Sequence, residues 1–183
     1  MVVPLDQPLM SRLAALAPTY AETGATAAAA PPPGYRGVQR SLVLGFGGRV
    51  FERAGAALMS WQMHERAGMG VATDFPIAVP GASVLLTIGR PPVAVTAPCR
   101  VIYQVSDQQR QGFAYGTLPG HPVSGEEYFV VTRDWDHRVV FTVRAFSRPA
   151  TAAARLGAPV TGIAQGLATR RYLHALRALA TDR

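Results

Sequence analysis

A histidine and two adjacent glutamates, His121, Glu126 and Glu127, are the residues whose types and spacing come closest to chemistry in this chain. They lie in GFAYGTLPGHPVSGEEYF (112–129), which reads as a strand, a Pro/Gly-rich turn and a second strand. Histidine with a carboxylate is the ordinary general acid–base pair, and a turn held between two strands is a firm platform for one. Strand alternation sends Glu126 and Glu127 to opposite faces. Glu126 travels with Tyr128, Val130 and Thr132, and Glu127 with Phe129 and Val131. Either face can be read as the inner one, and Glu127 is favoured. A carboxylate in an apolar interior must be paired or neutral, and it would anchor a ligand strongly. The competing reading makes Pro119, Gly120, Pro122 and Gly125 a simple turn, leaves His121 exposed, and pairs the acids with Arg144 or Arg148.

Gln165 and Tyr172, seven residues apart, fall on the apolar face of a C-terminal helix. Buried polar groups need partners. Theirs are either the sheet near Ser147 and Arg148 or a ligand, and bonding to the sheet is preferred. Trp61, Tyr115 and Tyr103 read as core before ligand platform. Cys99 follows Pro98 at a strand start and reads as a small core residue, because nothing nearby activates a thiol. His64, His121, His137 and His174 show no metal-ligand spacing. His64-Glu65 is not a zinc-protease motif, since position 68 is Gly. GFGGRVF (45–51) lacks the third glycine of a dinucleotide turn. No cofactor and no metal is called for.

The elements that must position these residues follow from periodicity. Asp6 can cap a helix over about Gln7–Leu16, and an Ala run ending in three prolines (21–35) reads as an extended arm. Residues 1–34 are therefore expected to form a helix and an Ala/Pro arm lying on a single α+β domain over 35–183. Gln39–Leu44 predicts a strand and Arg49–Ala67 one amphipathic helix, with His64 in its last turn complementing the helix dipole. Ser83–Ile88, Cys99–Ser106, Gly112–Leu118, Glu126–Thr132 and Arg138–Ser147 predict strands, with one more short strand at Val93–Thr96. Short connections imply an antiparallel meander. After a connector at 150–162, Ile163–Ala180 predicts a helix with Ala164, Ala168, Tyr172, Ala175, Leu176 and Leu179 inward. Arg170, His174 and Arg177 point outward, and Arg171 lies at the edge. The expected fold is a curved antiparallel sheet of about six to seven strands gripping a long C-terminal helix, the helix-grip arrangement of START and Bet v 1-like proteins.

YAETGAT (20–26), PPPGY (31–35), GGRVFERA (47–54), LMSWQMH (58–64), GFAYGTLPGHPVSGEE (112–127), FSRP (146–149) and the Gln165…Tyr172 helix resemble the domain-of-unknown-function 1990 family. The resemblance runs from about Tyr20 to Leu179. It implies a sequence pattern without an assigned activity or site residue.

Composition narrows the function classes. At 183 residues, 49% hydrophobic and 16% charged, the chain can bury a real core. The net charge is +7, yet every basic residue is Arg, and only Arg170 and Arg171 are adjacent. Scattered arginines without interleaved aromatics argue against a nucleic-acid partner. The lack of Lys excludes Schiff-base chemistry on a protein lysine. The Arg-only, Asn-free composition reads as codon bias in a GC-rich bacterial genome. No apolar run approaches a membrane span, no secretory signal is evident, and one cysteine makes no disulfide framework, so a cytoplasmic location is expected. The first functional reading is a pocket between sheet and C-terminal helix for a small apolar or amphipathic molecule, with Glu127, Arg148, Gln165 and Tyr172 at its mouth or floor. Trp61, Tyr115 and His121 stand near it. The alternatives are a hydrolase, lyase or cyclase using His121 with Glu126 or Glu127, and an interaction module.

Overall fold

Strands at opposite edges of one sheet, joined by helices that cross its open side, organise the molecule. A computed structural model describes residues 2–90, 92, 94–150 and 158–181, with side chains of the last helix from 166 onward. The strands are β1 (Val3–Pro4), β2 (Arg36–Phe46), β3 (Met69–Thr73), β4 (Ser83–Ile88), β5 (Val95–Ser106), β6 (Arg110–Thr117), β7 (Val123–Arg133) and β8 (Arg138–Pro149). They form one sheet in the order β1-β3-β4-β5-β6-β7-β8-β2. Only the two-residue β1 pairs in parallel, with β3. The meander from β3 to β8 follows from tight connections, while β2 reaches the far edge and pairs with β8.

The helices are α1 (Gln7–Ala14), α2 (Gly48–Met59), α3 (Gln62–Arg66) and α4 (Ala158–Thr181). Asp6 caps α1 as expected, accepting from the Leu9 amide at 2.8 Å. Arg100 of β5 closes the other end of α1, donating to the Leu16 carbonyl at 2.7 Å and to that of Leu13. Since β2 lies at one edge and β3 near the other, α2 and α3 must cross the concave face, and α4 packs on both. Trp61, Phe113, Phe129, Phe141, Leu58 and Leu176 are fully buried there. This is the expected curved sheet gripping a long C-terminal helix, with eight strands instead of six or seven.

Four elements differ from expectation. The helix expected over 49–67 breaks at Ser60–Trp61, where Trp61 adopts φ +66, a left-handed conformation rare for so bulky a residue. The break rotates α3 relative to α2, so a single helical wheel cannot place His64. β3 escapes sequence reading because Gly68 and Gly70 look only like a helix stop. The short strand expected at Val93–Thr96 merges into β5 from Val95, with Val93 outside the described residues. Of the connector expected at 150–162, residues 151–157 also lie outside the described residues, and 158–162 are helical.

Candidate functional site

The two adjacent glutamates meet opposite fates, and their contrast defines the candidate site. Both lie on β7, within a cross-strand ladder that pairs Glu127 with Tyr115 of β6 and Ala145 of β8, and Ala145 with Val38 of β2. Alternation puts Glu127 on the concave face with Phe129 and Val131, as the sequence indicated, and Glu126 on the convex face.

Glu126 is buried all the same. The arm crosses the convex face and saturates its carboxylate. The Tyr20 hydroxyl and the Gly24 amide each donate at 2.7 Å, the Thr26 amide at 3.0 Å, and the Thr26 hydroxyl adds a fourth bond. Gly116 makes room for this latch, because a β-carbon there would overlap the Tyr20 phenol. Around it, Tyr20 and Tyr35 stand edge-on to Phe146 at 5.6 and 5.0 Å. Arg144 donates to the carbonyls of Thr26 at 2.9 Å and Ala28 at 3.0 Å. The Tyr103 hydroxyl bonds the Thr26 hydroxyl at 2.8 Å. Neither Arg144 nor Arg148 pairs with the acids as the competing sequence reading had it. Arg148 is exposed on the convex side, its guanidinium 4.6 Å from the centre of the Tyr35 ring. The sheet therefore separates it from Glu127, because even-numbered residues of β8 face away from the helix.

Glu127 has one donor among the described residues, the Tyr115 hydroxyl at 3.1 Å. Burial pushes its carboxyl up to about 7, and the Tyr115 bond only partly offsets this. Tyr172 reaches down from α4 to the same place. Desolvation first, and then the neighbouring Glu127 charge, hold the Tyr115 and Tyr172 phenols well above the usual range. The Tyr172 hydroxyl donates to Met69 Sδ at 3.4 Å. Cys99 is fully buried beside them, and its thiol is pushed up by burial and by Glu127, so it is an inert core residue as read from sequence.

The concave face has two parts. Beneath α2 and α3 it is filled by an aromatic cluster: His64 sits 5.2 to 6.2 Å, ring centre to ring centre, from Trp61, Phe113, Tyr115, Phe129 and Tyr172. Farther along the cross-strand row, Glu127, Ala145 and Val38 are only partly buried. His64 corrects the sequence expectation of a histidine complementing a helix dipole. It is fully enclosed, both ring nitrogens lack partners among the described residues, and desolvation pulls it down to about 3. Trp61 is core, and its indole N–H is likewise unpartnered among the described residues.

His121 stays in the β6–β7 turn, where its Nδ1 lies 2.9 Å from the Val123 carbonyl, to which it donates when protonated, and 3.1 Å from the Val123 amide, from which it accepts in the other tautomer. Burial lowers it to about 4. Those bonds engage the turn backbone and bring it to neither glutamate. The side chain of Gln165 lies outside the described residues. Of the residues singled out from sequence, the structure thus gathers Glu127, Tyr115 and Tyr172, with Trp61 in the adjoining core. No group of His, Cys, Asp or Glu among the described residues could hold a metal, and no described helix is long and apolar enough to cross a membrane.

Comparison with known proteins places this geometry. The family described as "Domain of unknown function (DUF1990)" matches residues 19–175. A UPF0548 protein of Deinococcus radiodurans is 37% identical over 171 residues, covering 87% of this chain and 86% of its own. One from Arabidopsis thaliana is 28% identical over 130 residues, 68% of this chain and 63% of that protein. Among solved structures, a hypothetical protein from Helicobacter pylori superposes with a TM-score of 0.61 at 12% identity, over 81% of this chain and 91% of that one. Ara h 8.0201 superposes with a TM-score of 0.54 at 8% identity, over 82% of this chain and 100% of that one. These two likenesses establish the fold, a Bet v 1-like one.

Proposed function

The chain belongs to the DUF1990 family, and from its concave face we propose that it binds a small amphipathic molecule between sheet and C-terminal helix, with Glu127 and Tyr115 as the polar anchor. One observation carries this reading. Of two neighbouring carboxylates on the same strand, Glu126 is buried and saturated by four donors, while Glu127 is partly buried and has one donor among the described residues. A carboxyl in that state costs stability, and a ligand that hydrogen-bonds it would offset the cost. With its carboxyl near 7, Glu127 can donate a hydrogen bond as the acid or accept one as the anion. It therefore suits a ligand with one hydroxyl, amide or carbonyl group. Ala145, Val38 and the partly buried Leu42 and Ala168 offer an apolar wall for the rest of such a molecule.

The test is a heteronuclear NMR titration of the whole chain with decan-1-ol. We expect saturable shifts at Glu127, Tyr115, Ala145 and Val38, and affinity reduced on the order of tenfold in Glu127→Ala, the scale of losing one buried hydrogen bond to an ionisable group. No saturable shift, or shifts confined to the convex face, would exclude the site.

A further inference from the structure

A second binding feature lies on the solvent side of α4. Leu167, Arg170, Arg171 and His174 recur at i, i+3, i+4 and i+7, so they form one stripe along the helix. Across from them, Arg66, Ala67 and Gly68 turn the chain from α3 into β3. Together with Ala175 these residues line an open groove of about 690 Å³. Gly68 holds φ +88, and a β-carbon placed on it would meet nothing within 4 Å, so the chain turns beside open space. No carboxylate lines the groove among the described residues. Arg170, Arg171 and His174 are exposed, and Leu167 keeps 51% of its surface in water beside them.

We propose that this groove binds a phosphate-bearing molecule with an apolar stem, at a site distinct from the concave face. Two guanidiniums from consecutive residues and an imidazole one turn on line the groove with no lining acid among the described residues, on a chain of net charge +7. Guanidinium forks match phosphate oxygens in pairs, which an isolated ammonium cannot do. Half-exposed Leu167 supplies the apolar surface against which a short hydrocarbon stem would lie, with the buried Ala67 and Ala175 beneath it.

The experiment is calorimetric titration of the whole chain with inorganic phosphate and with hexyl phosphate. In parallel, flotation is run with phosphatidylcholine vesicles with and without phosphatidic acid. Hexyl phosphate should bind on the order of tenfold more tightly than inorganic phosphate, because burying even part of the stem adds about that much. R170A/R171A should weaken it at least tenfold, while R12A/R49A, which removes the same charge from exposed positions outside the groove, should not. Should R170A/R171A fail to fold, R170Q/R171Q and chemical-shift mapping on the unaltered chain give independent readouts, with shifts expected at 66–68 and 167–175. Recruitment to phosphatidic acid vesicles that is lost in R170A/R171A would identify a lipid headgroup as the source. Binding of hexyl phosphate without recruitment would identify a soluble organic phosphate. The proposal is overturned if neither organic probe binds, if hexyl phosphate and inorganic phosphate bind equally, or if R12A/R49A loses as much as R170A/R171A.

Discussion

Glu127 carries a pH signature that Glu126's latch does not share. Its carboxyl is raised from the ordinary 4.5 to about 7 by burial. Between those values the folded chain keeps a proton that the unfolded chain has released, so stability falls as pH rises through that window. The full difference is at most about 3 kcal/mol, reached above pH 7. Glutamine in its place does not titrate. Glu127→Gln should therefore gain on the unaltered chain by up to about 3 kcal/mol between pH 4.5 and pH 8, measured by urea denaturation at both values. A difference independent of pH would mean that Glu127 is solvated. His64 acts in the opposite direction. It is lowered from 6.5 to about 3, so the unfolded chain takes up a proton that the folded one refuses, and stability is lost as pH falls from about 6.5 toward 3. Both variants of the experiment should share that acid loss. At this scale alternation favoured Glu127 for the inner face through Phe129 and Val131 without deciding it, because Val130 beside Glu126 is apolar and buried as well. It could not reveal how Glu126 is buried, since Tyr20, Gly24 and Thr26 arrive from 100 or more residues away. His64 was hidden by a different cause, the left-handed turn at Trp61, which no helical period anticipates.

At the scale of elements, the arm and β7 form one mechanical unit. The arm has little regular structure of its own, only a 3-10 turn at Ala25–Ala27. It is held by the Glu126 carboxylate, by Arg144 on its carbonyls and by the aromatic pairs on Phe146. Gly116→Ala should push the Tyr20 phenol off Glu126 and cost about 1–3 kcal/mol, the penalty for leaving a buried acceptor short of a donor. The arm's Ala27–Ala30 run should then be cut faster by elastase. Unchanged cleavage in Gly116→Ala would show that Tyr20 does not secure the arm. The Ala/Pro composition indicated an arm lying on the domain, but its anchor was illegible because a glutamate beside a turn carries no mark of the strand face it occupies. Strands are legible in the sequence where alternation runs for six residues or more. β3 is not, being five residues that begin on Met69 and Gly70 and borrow their pairing from β4.

For the whole molecule, the sheet order explains why one face can be both core and site. With β2 paired to β8 at one edge and β3 near the other, α2 and α3 must span the concavity. They fill the part they cover with Trp61, His64, Tyr115 and the phenylalanines, and leave Glu127, Ala145 and Val38 in the same cross-strand row less covered. This crossing could not be read from sequence, because it depends on which distant strands pair. The fold class could, from a long apolar helix placed after a run of short-looped strands. The most direct measurement of the central claim is native mass spectrometry of the gently purified chain alongside its Glu127→Gln and Glu126→Gln variants. The account predicts a co-purifying small molecule on the unaltered chain and on Glu126→Gln, with its occupancy reduced several-fold on Glu127→Gln. Equal occupancy on Glu127→Gln and the unaltered chain, or no bound molecule on any of the three, would contradict it.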